Sequence, residues 1–245
     1  MKRNVLSVLL IMLIFSGLQA QRRNGLIGHR SESDGSLILS IGPNYCYGDP
    51  YSSKGFFGPI ANQSVLKNMD ISIGFRQSFV DNSRYVLLGQ NVTMDLGYKA
   101  GLSYDHFTGD DKNYPIRNFS FNSTVFQLAG QGEYSIHIGK RYGRAYPHTI
   151  YGFLGVGALY CKADLLKGTD GGHIGYNYRS TDITPVIPYG FGYHYYFYNT
   201  YYIGAEVKWE YTFSDYIDGF KPPKNVSKSP DVLQGFFVTF GYKIF

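Results

Sequence analysis

The stretch that decides the fold is Tyr201-Tyr-Ile-Gly-Ala-Glu-Val-Lys-Trp-Glu-Tyr-Thr-Phe213. Its odd positions hold Tyr201, Ile203, Ala205, Val207, Trp209, Tyr211 and Phe213; the even ones from 204 hold Gly204, Glu206, Lys208, Glu210 and Thr212. Period-two alternation puts these sets on opposite faces of an extended strand, whereas a helix would mix them. The stretch is a strand with one apolar and one charged face.

The same pattern recurs outward from it. Over 68–80, Met69, Ile71, Ile73, Phe75 and Phe79 alternate with Asp70, Ser72, Gly74, Arg76 and Ser78. Residues 92–107 and 126–138 repeat it, and 36–47, 148–163, 183–197 and 234–245 carry weaker versions. A soluble sandwich and a membrane barrel both alternate, so length and aromatic placement decide. The runs exceed the ~5–6 residues of an ordinary strand and suffice for the ~9–11 of a bilayer-crossing one. Tyr and Phe gather at the run ends (Tyr45, Tyr47, Tyr104, Phe107, Tyr193, Tyr195), as interfacial girdles do. Connections 48–67, 108–118, 164–182 and 214–233 are long, while 81–84, 139–147 and 198–200 are shorter. Barrels with periplasmic termini alternate long outer loops with short periplasmic turns. The expectation is an all-β chain: a single antiparallel transmembrane β-barrel of eight strands over 36–245, with long extracellular loops. Residues 85–90 leave open an additional short strand, which would make ten.

Lys2 and Arg3 followed by the apolar stretch 5–15, with Ala20 at its end, read as a cleaved secretory signal over 1–20. Residues 21–35 then form a periplasmic N-terminal segment, and the destination is the cell outer membrane. Losing Lys2 and Arg3 lowers the formal net charge from +5 to +3. No other segment approaches the ~18 apolar residues of a spanning helix.

Small barrels hold little beyond their own side chains. The inward set includes Asp70, Asp95, Asp105, Glu133, Glu206 and Glu210 against Arg76, Lys99, Lys208 and Lys243, so a packed, paired polar interior is expected rather than a pore. Cys46 and Cys161 would lie on opposite walls about 15 Å apart, beyond the ~7 Å reach of a disulfide. No pairing is expected.

Enzyme signatures are missing. There is no Gly-x-Ser-x-Gly elbow, and the glycine-rich run at 168–172 lacks the Gly-Lys-Ser/Thr ending of a phosphate loop. Ser103 and His106 stand three apart on a strand and face opposite ways. No catalytic residue, cofactor, metal, nucleic acid or small-molecule substrate is expected. The pieces assigned to the periplasm are basic, with Arg84, Lys140, Arg141 and Arg144 as a candidate docking patch for an acidic partner.

The segment Trp209-Glu-Tyr-Thr-Phe-Ser-Asp-Tyr-Ile-Asp218 is similar to the Arg-x-Thr-Phe-Thr-Asp-Tyr-Leu-Asp-Asp signature of the PorG family, the outer-membrane barrel component of the type IX secretion system of Bacteroidetes. Supporting matches are Tyr47-Gly48-Asp49, Arg117-Asn-Phe-Ser-Phe121 and Pro185-Val-Ile-Pro-Tyr-Gly-Phe-Gly192, and the resemblance spans 37–245. Gly219 replaces the second acidic residue of the signature. The resemblance implies a non-enzymatic part of a secretion machine, set among outer-membrane lipid and associated with a periplasmic ring of the lipoprotein PorK and of PorN. Asp215, Tyr216 and Asp218 carry the motif; at a strand exit, such residues fix a turn. Two other classes stay open: a small opacity-type adhesin or porin, and a lipid-modifying barrel enzyme with a Ser/His/acid cluster at one rim.

Overall fold

Among the described residues ten strands follow one another: β1 (Ser33–Tyr47), β2 (Met69–Leu87), β3 (Gln90–Asp110), β4 (Ser120–Ile138), β5 (His148–Lys167), β6 (Asn177–Tyr178), β7 (Thr181–Phe197), β8 (Tyr201–Thr212), β9 (Phe220–Lys221) and β10 (Val232–Lys243). The computed structural model describes residues 33–47, 67–87, 90–110, 120–139, 147–167, 177–178, 180–197, 200–217, 220–221 and 230–244. Eight of the strands close a ring in the order β1-β10-β8-β7-β5-β4-β3-β2. Each neighbouring pair is antiparallel, and β1 completes the ring by pairing with both β2 and β10. The remaining two, β6 and β9, pair with each other outside the ring. The start of β1 and the end of β10 meet at one end, where Ser36 lies opposite Lys243. The four long connections join strands at the other, outer end.

The alternation read from the sequence sets the faces. Asp70, Arg76, Asp105, Glu133 and Glu210 are all buried inside, whereas Leu96, Leu154 and Ile183 stand 63%, 63% and 74% exposed on the outside. Closure leaves no strand edge to pair, and an exposed apolar wall of this extent is stable only in lipid. A strand tilted ~40° climbs ~2.5 Å per residue along the barrel axis, so a ~25 Å apolar band takes about ten residues. On β4 the outward positions from Phe126 to Ile136 supply it. In the apolar phase of the alternation, Leu96 and Leu128 are exposed and Phe75 and Val207 are half-buried on the same outer wall.

Several strands run past the segments read from the sequence, β3 to Asp110, β4 from Ser120 and β5 to Lys167 among them, and two departures go further. β1 begins at Ser33 rather than 36, because residues 33–35 pair with Phe79, Ser78 and Gln77. The chain also does not reverse at 81–84. β2 runs through to Leu87, and the pairing jumps from Val80↔Asp95 to Arg84↔Thr93. Residues 81–83 bulge opposite Met94, so the backbone there is an irregularity within the strand rather than a turn. Residues 85–87 pair with 92–90 as the end of the same hairpin, which leaves eight strands in the ring rather than ten.

Aromatic rings inside the barrel need room, and inward glycines supply it. A Cβ at Gly241 would lie 1.9 Å from Cζ of Tyr202, and one at Gly192 would lie 2.4 Å from Cζ of Tyr151. Gly241→Val should therefore cost about 1–3 kcal/mol by forcing Tyr202 out of its slot. The check is the temperature at which the purified barrel loses its folded mobility in detergent gels. An unchanged transition would show that the ring has another place to go.

Candidate functional site

Inward side chains fill the lumen in layers. Nearest the termini, Arg76 of β2 donates from Nη2 to Ser135 Oγ at 3.0 Å, from Nη1 to Tyr196 Oη at 3.1 Å, and from Nε to the Glu133 carboxylate. Its guanidinium also lies 5.9 Å from the Tyr151 ring centre. Above it, Lys99 of β3 reaches across to Glu206 of β8, with Nζ 3.0 Å from Oε2, while Tyr151 Oη donates to the same oxygen at 2.8 Å. Higher still, Lys208 Nζ lies 3.0 Å from both Asp70 Oδ2 and Glu210 Oε1, and Asn44 Nδ2 donates to Asp105 Oδ1 at 3.0 Å. Burying charge is tolerable only with such partners. Between these layers a cavity of ≈ 40 Å³ is lined by Lys99, Glu206, Lys208, Ser72, Gln127 and Gln131. That is space for about three waters.

An apolar cap lies at the outer end. Cys46, Phe107, Val125, Leu159, Cys161 and Leu233 cluster there around Ile217, which enters from the segment after β8. The segment is tied down by backbone and hydroxyl groups. Ile217 N–H donates to Asp231 Oδ2 at 2.8 Å, and Ile217 O accepts from Ser123 Oγ at 2.6 Å and from Cys161 Sγ at 3.3 Å. Thr212 Oγ1 donates to Asp231 O at 2.7 Å, and Ser214 Oγ donates to Asp182. Both cysteines are buried thiols, not a disulfide.

The motif residues found by sequence sit beside this anchor. Asp215 and Tyr216 are half-buried, and Tyr216 N–H donates to Ser214 Oγ at 3.1 Å; Asp218 lies outside the described residues. Thr212, Ser214 and Ile217 anchor the segment on either side of them. A signal for the cap was present: Cys46, Phe107, Val125, Leu159, Cys161 and Leu233 are apolar residues in the inward phase, all at the outer ends of strands. Of the basic patch, Arg84 is in β2 with its backbone opposite Thr93, and its side chain lies outside the description. Lys140, Arg141 and Arg144 lie outside the described residues, between β4 and β5, whose flanking ends are at the terminus end of the barrel.

One constellation has the outline of a catalytic triad. His137 Nε2 lies 2.8 Å from Asp95 Oδ2 and its Nδ1 lies 2.7 Å from Thr149 Oγ1. A working triad needs its hydroxyl open to a carbonyl carbon. Thr149 is wholly buried, so here the chain of bonds fixes the imidazole across β3, β4 and β5. Ser103, inside, hydrogen-bonds Gln127 at 3.5 Å and is on the opposite face from His106. Among the described residues, no group of His, Cys, Asp and Glu is arranged to hold a metal ion.

A closed ring with a lipid-facing apolar wall and a filled lumen defines a small membrane-spanning β-barrel of the outer-membrane type. No family model and no curated protein matches the chain in sequence. Among solved structures it is similar to Ail, the attachment invasion locus protein of Yersinia pestis, at 12% identity and TM-score 0.45, over 87% of this chain and 99% of that one. It is also similar to Neisserial surface protein A, at 10% identity and TM-score 0.44 over 86% and 97% of the two chains. A major outer membrane protein from Thermus thermophilus gives 10% identity and TM-score 0.44 over 86% and 99%.

Proposed function

We propose that the chain is a non-enzymatic outer-membrane component of a type IX protein secretion machinery, docked to periplasmic ring proteins of the PorK and PorN kind. The observation that carries the reading is the segment 209–217. Its sequence is similar to the PorG signature, and its course caps the lumen at Ile217. A barrel filled from Arg76 to Ile217 offers secreted chains no passage, so its work falls to its ends and outer wall. Export through a cleaved signal at 1–20 belongs to the same reading; an intact mass of the mature protein tests it.

Pull-down of the tagged barrel from solubilised outer membrane, followed by mass spectrometry, is the direct test. Recovery of a lipoprotein ring with the barrel supports the reading; a barrel recovered without ring proteins, in cells that contain them, rejects it. The basic connection between β4 and β5 sharpens the expectation. Changing Lys140, Arg141 and Arg144 to Glu should reduce ring recovery several-fold and make the remainder less salt-sensitive, as for a complementary charged contact. Unchanged recovery at matched barrel levels would take this patch out of the interface.

The β6–β9 pairing favours a second reading, a surface adhesin, because it joins the connections after β5 and β8 into one outer structure. Binding of intact cells to host-matrix or glycan arrays, lost on deleting those two connections while ring recovery is unaffected, would favour it.

A further inference from the structure

The outer rim of the barrel is not the same all round. On the arc from β2 to β7 the registers align one outward row, Met69–His106–Thr124–Lys162–Thr181. The row immediately below it is Ile71–Tyr104–Phe126–Tyr160–Ile183, and all five of those residues are exposed. On β3, β4, β5 and β7 the outward residue changes from apolar or aromatic to polar at this step, which marks where the hydrocarbon ends on each of those strands; with the strand tilt the row itself rises about 3 Å per strand. Neighbouring strands are ~4.8 Å apart, so His106 and Lys162 flank the Thr124 hydroxyl within ~10 Å of each other. Lys67, two residues before β2, is exposed at the same end. The outer ends of β8 and β10 differ, with Tyr211 opposite Val232 and Phe213 beyond.

We propose that this arc is a binding surface for the phosphorylated headgroup of an outer-leaflet glycolipid, with Lys162, Thr124 and His106 as its donors and the Tyr104–Phe126–Tyr160 row packing the upper acyl chains. The chemistry is complementary. An imidazole, a hydroxyl and an ammonium offer hydrogen bonds at headgroup height, directly over aromatic rings that suit the interface. The acidic side chain beside them is Asp164, whose Oδ2 is 4.0 Å from Lys162 Nζ with both side chains more than half exposed. A pair so long and so wet holds its lysine weakly and yields it to a doubly charged phosphate. The site lies on the lipid wall, separate from the periplasmic docking proposed above, and it stands or falls independently of that reading.

The test is native mass spectrometry of the full barrel in neutral detergent, titrated with bis-phosphorylated lipid A and with the same lipid after its phosphates are removed. Retention of the phosphorylated form over the dephosphorylated one is expected. Lys162→Gln should reduce that retention about fivefold, the factor for one basic side chain at an anionic surface. Asp164→Asn should raise it, since it frees the lysine. Both substitutions are at exposed positions, and folded mobility in detergent gels verifies each barrel. Should Lys162→Gln fail to fold, the opposite-sign arm at Asp164 still decides. Equal retention of the two lipids, or insensitivity to both substitutions, overturns the proposal. Inorganic phosphate abolishing retention at concentrations similar to those of the lipid would also overturn it, as a site for free phosphate rather than a headgroup.

Discussion

Replacing Arg76 with methionine should cost the barrel about 3–5 kcal/mol, the penalty for leaving one member of a buried ion pair unpartnered. Arg76 and Glu133 are both almost fully buried, and the guanidinium also serves Ser135 and Tyr196. Its removal leaves a carboxylate facing hydroxyls in a closed lumen. Methionine matches much of the volume, so the cost reads the charge rather than a hole. The companion variant is informative: adding Glu133→Gln to Arg76→Met should recover most of the loss, because the stranded charge goes with it. Guanidinium unfolding in detergent micelles measures both. A double variant as unstable as the single one would mean that the guanidinium's hydrogen bonds, and not its pairing with Glu133, hold that layer.

A second large effect is expected at the outer mouth. Ile217→Ala removes the side chain around which the cap packs, a change worth about 2–5 kcal/mol for a buried isoleucine. Beyond the end of β8, residues 214–217 are held by single hydrogen bonds to Asp231, Ser123 and Asp182 rather than by ladder pairing, so the loss falls on local opening. Cys161 donates to the Ile217 carbonyl and Cys46 shares the cluster, which makes the two thiols reporters. A membrane-impermeant maleimide should label both in the variant on intact cells and leave the parent protein unlabelled. Absence of labelling in a folded variant would show that the cap closes without Ile217.

The sequence showed the wall more clearly than the filling. Alternation from Tyr201 to Phe213 fixes which side chains point inward, and Glu206, Lys208 and Glu210 are all buried as that phase requires. Partners are another matter. Lys99 finds Glu206, on a strand four places round the ring, only because the ring closes. Local pattern has no access to that distance. The bulge at 81–83 was hidden for a related reason: Asp-Asn-Ser is turn chemistry when read alone, and only pairing with Asp95 and Thr93 reveals it as an irregularity. At the candidate motif, acidic residues stand out because turns favour them, while Ile217 falls in the connection 214–233 with no local mark of burial. Its role depends on apolar positions of other strands, Val125, Leu159 and Leu233 among them, being brought to one place.

The pairing of Lys99 with Glu206 has a mechanical meaning. Those two residues tie diametrically opposed walls, Lys208 and Asp70 tie a second chord, and Arg76 and Glu133 a third at a lower level. A hollow cylinder of eight strands flattens under sideways load. One braced by chords at three heights keeps its cross-section, so force applied at one edge of the rim moves the whole cylinder as a stiff post.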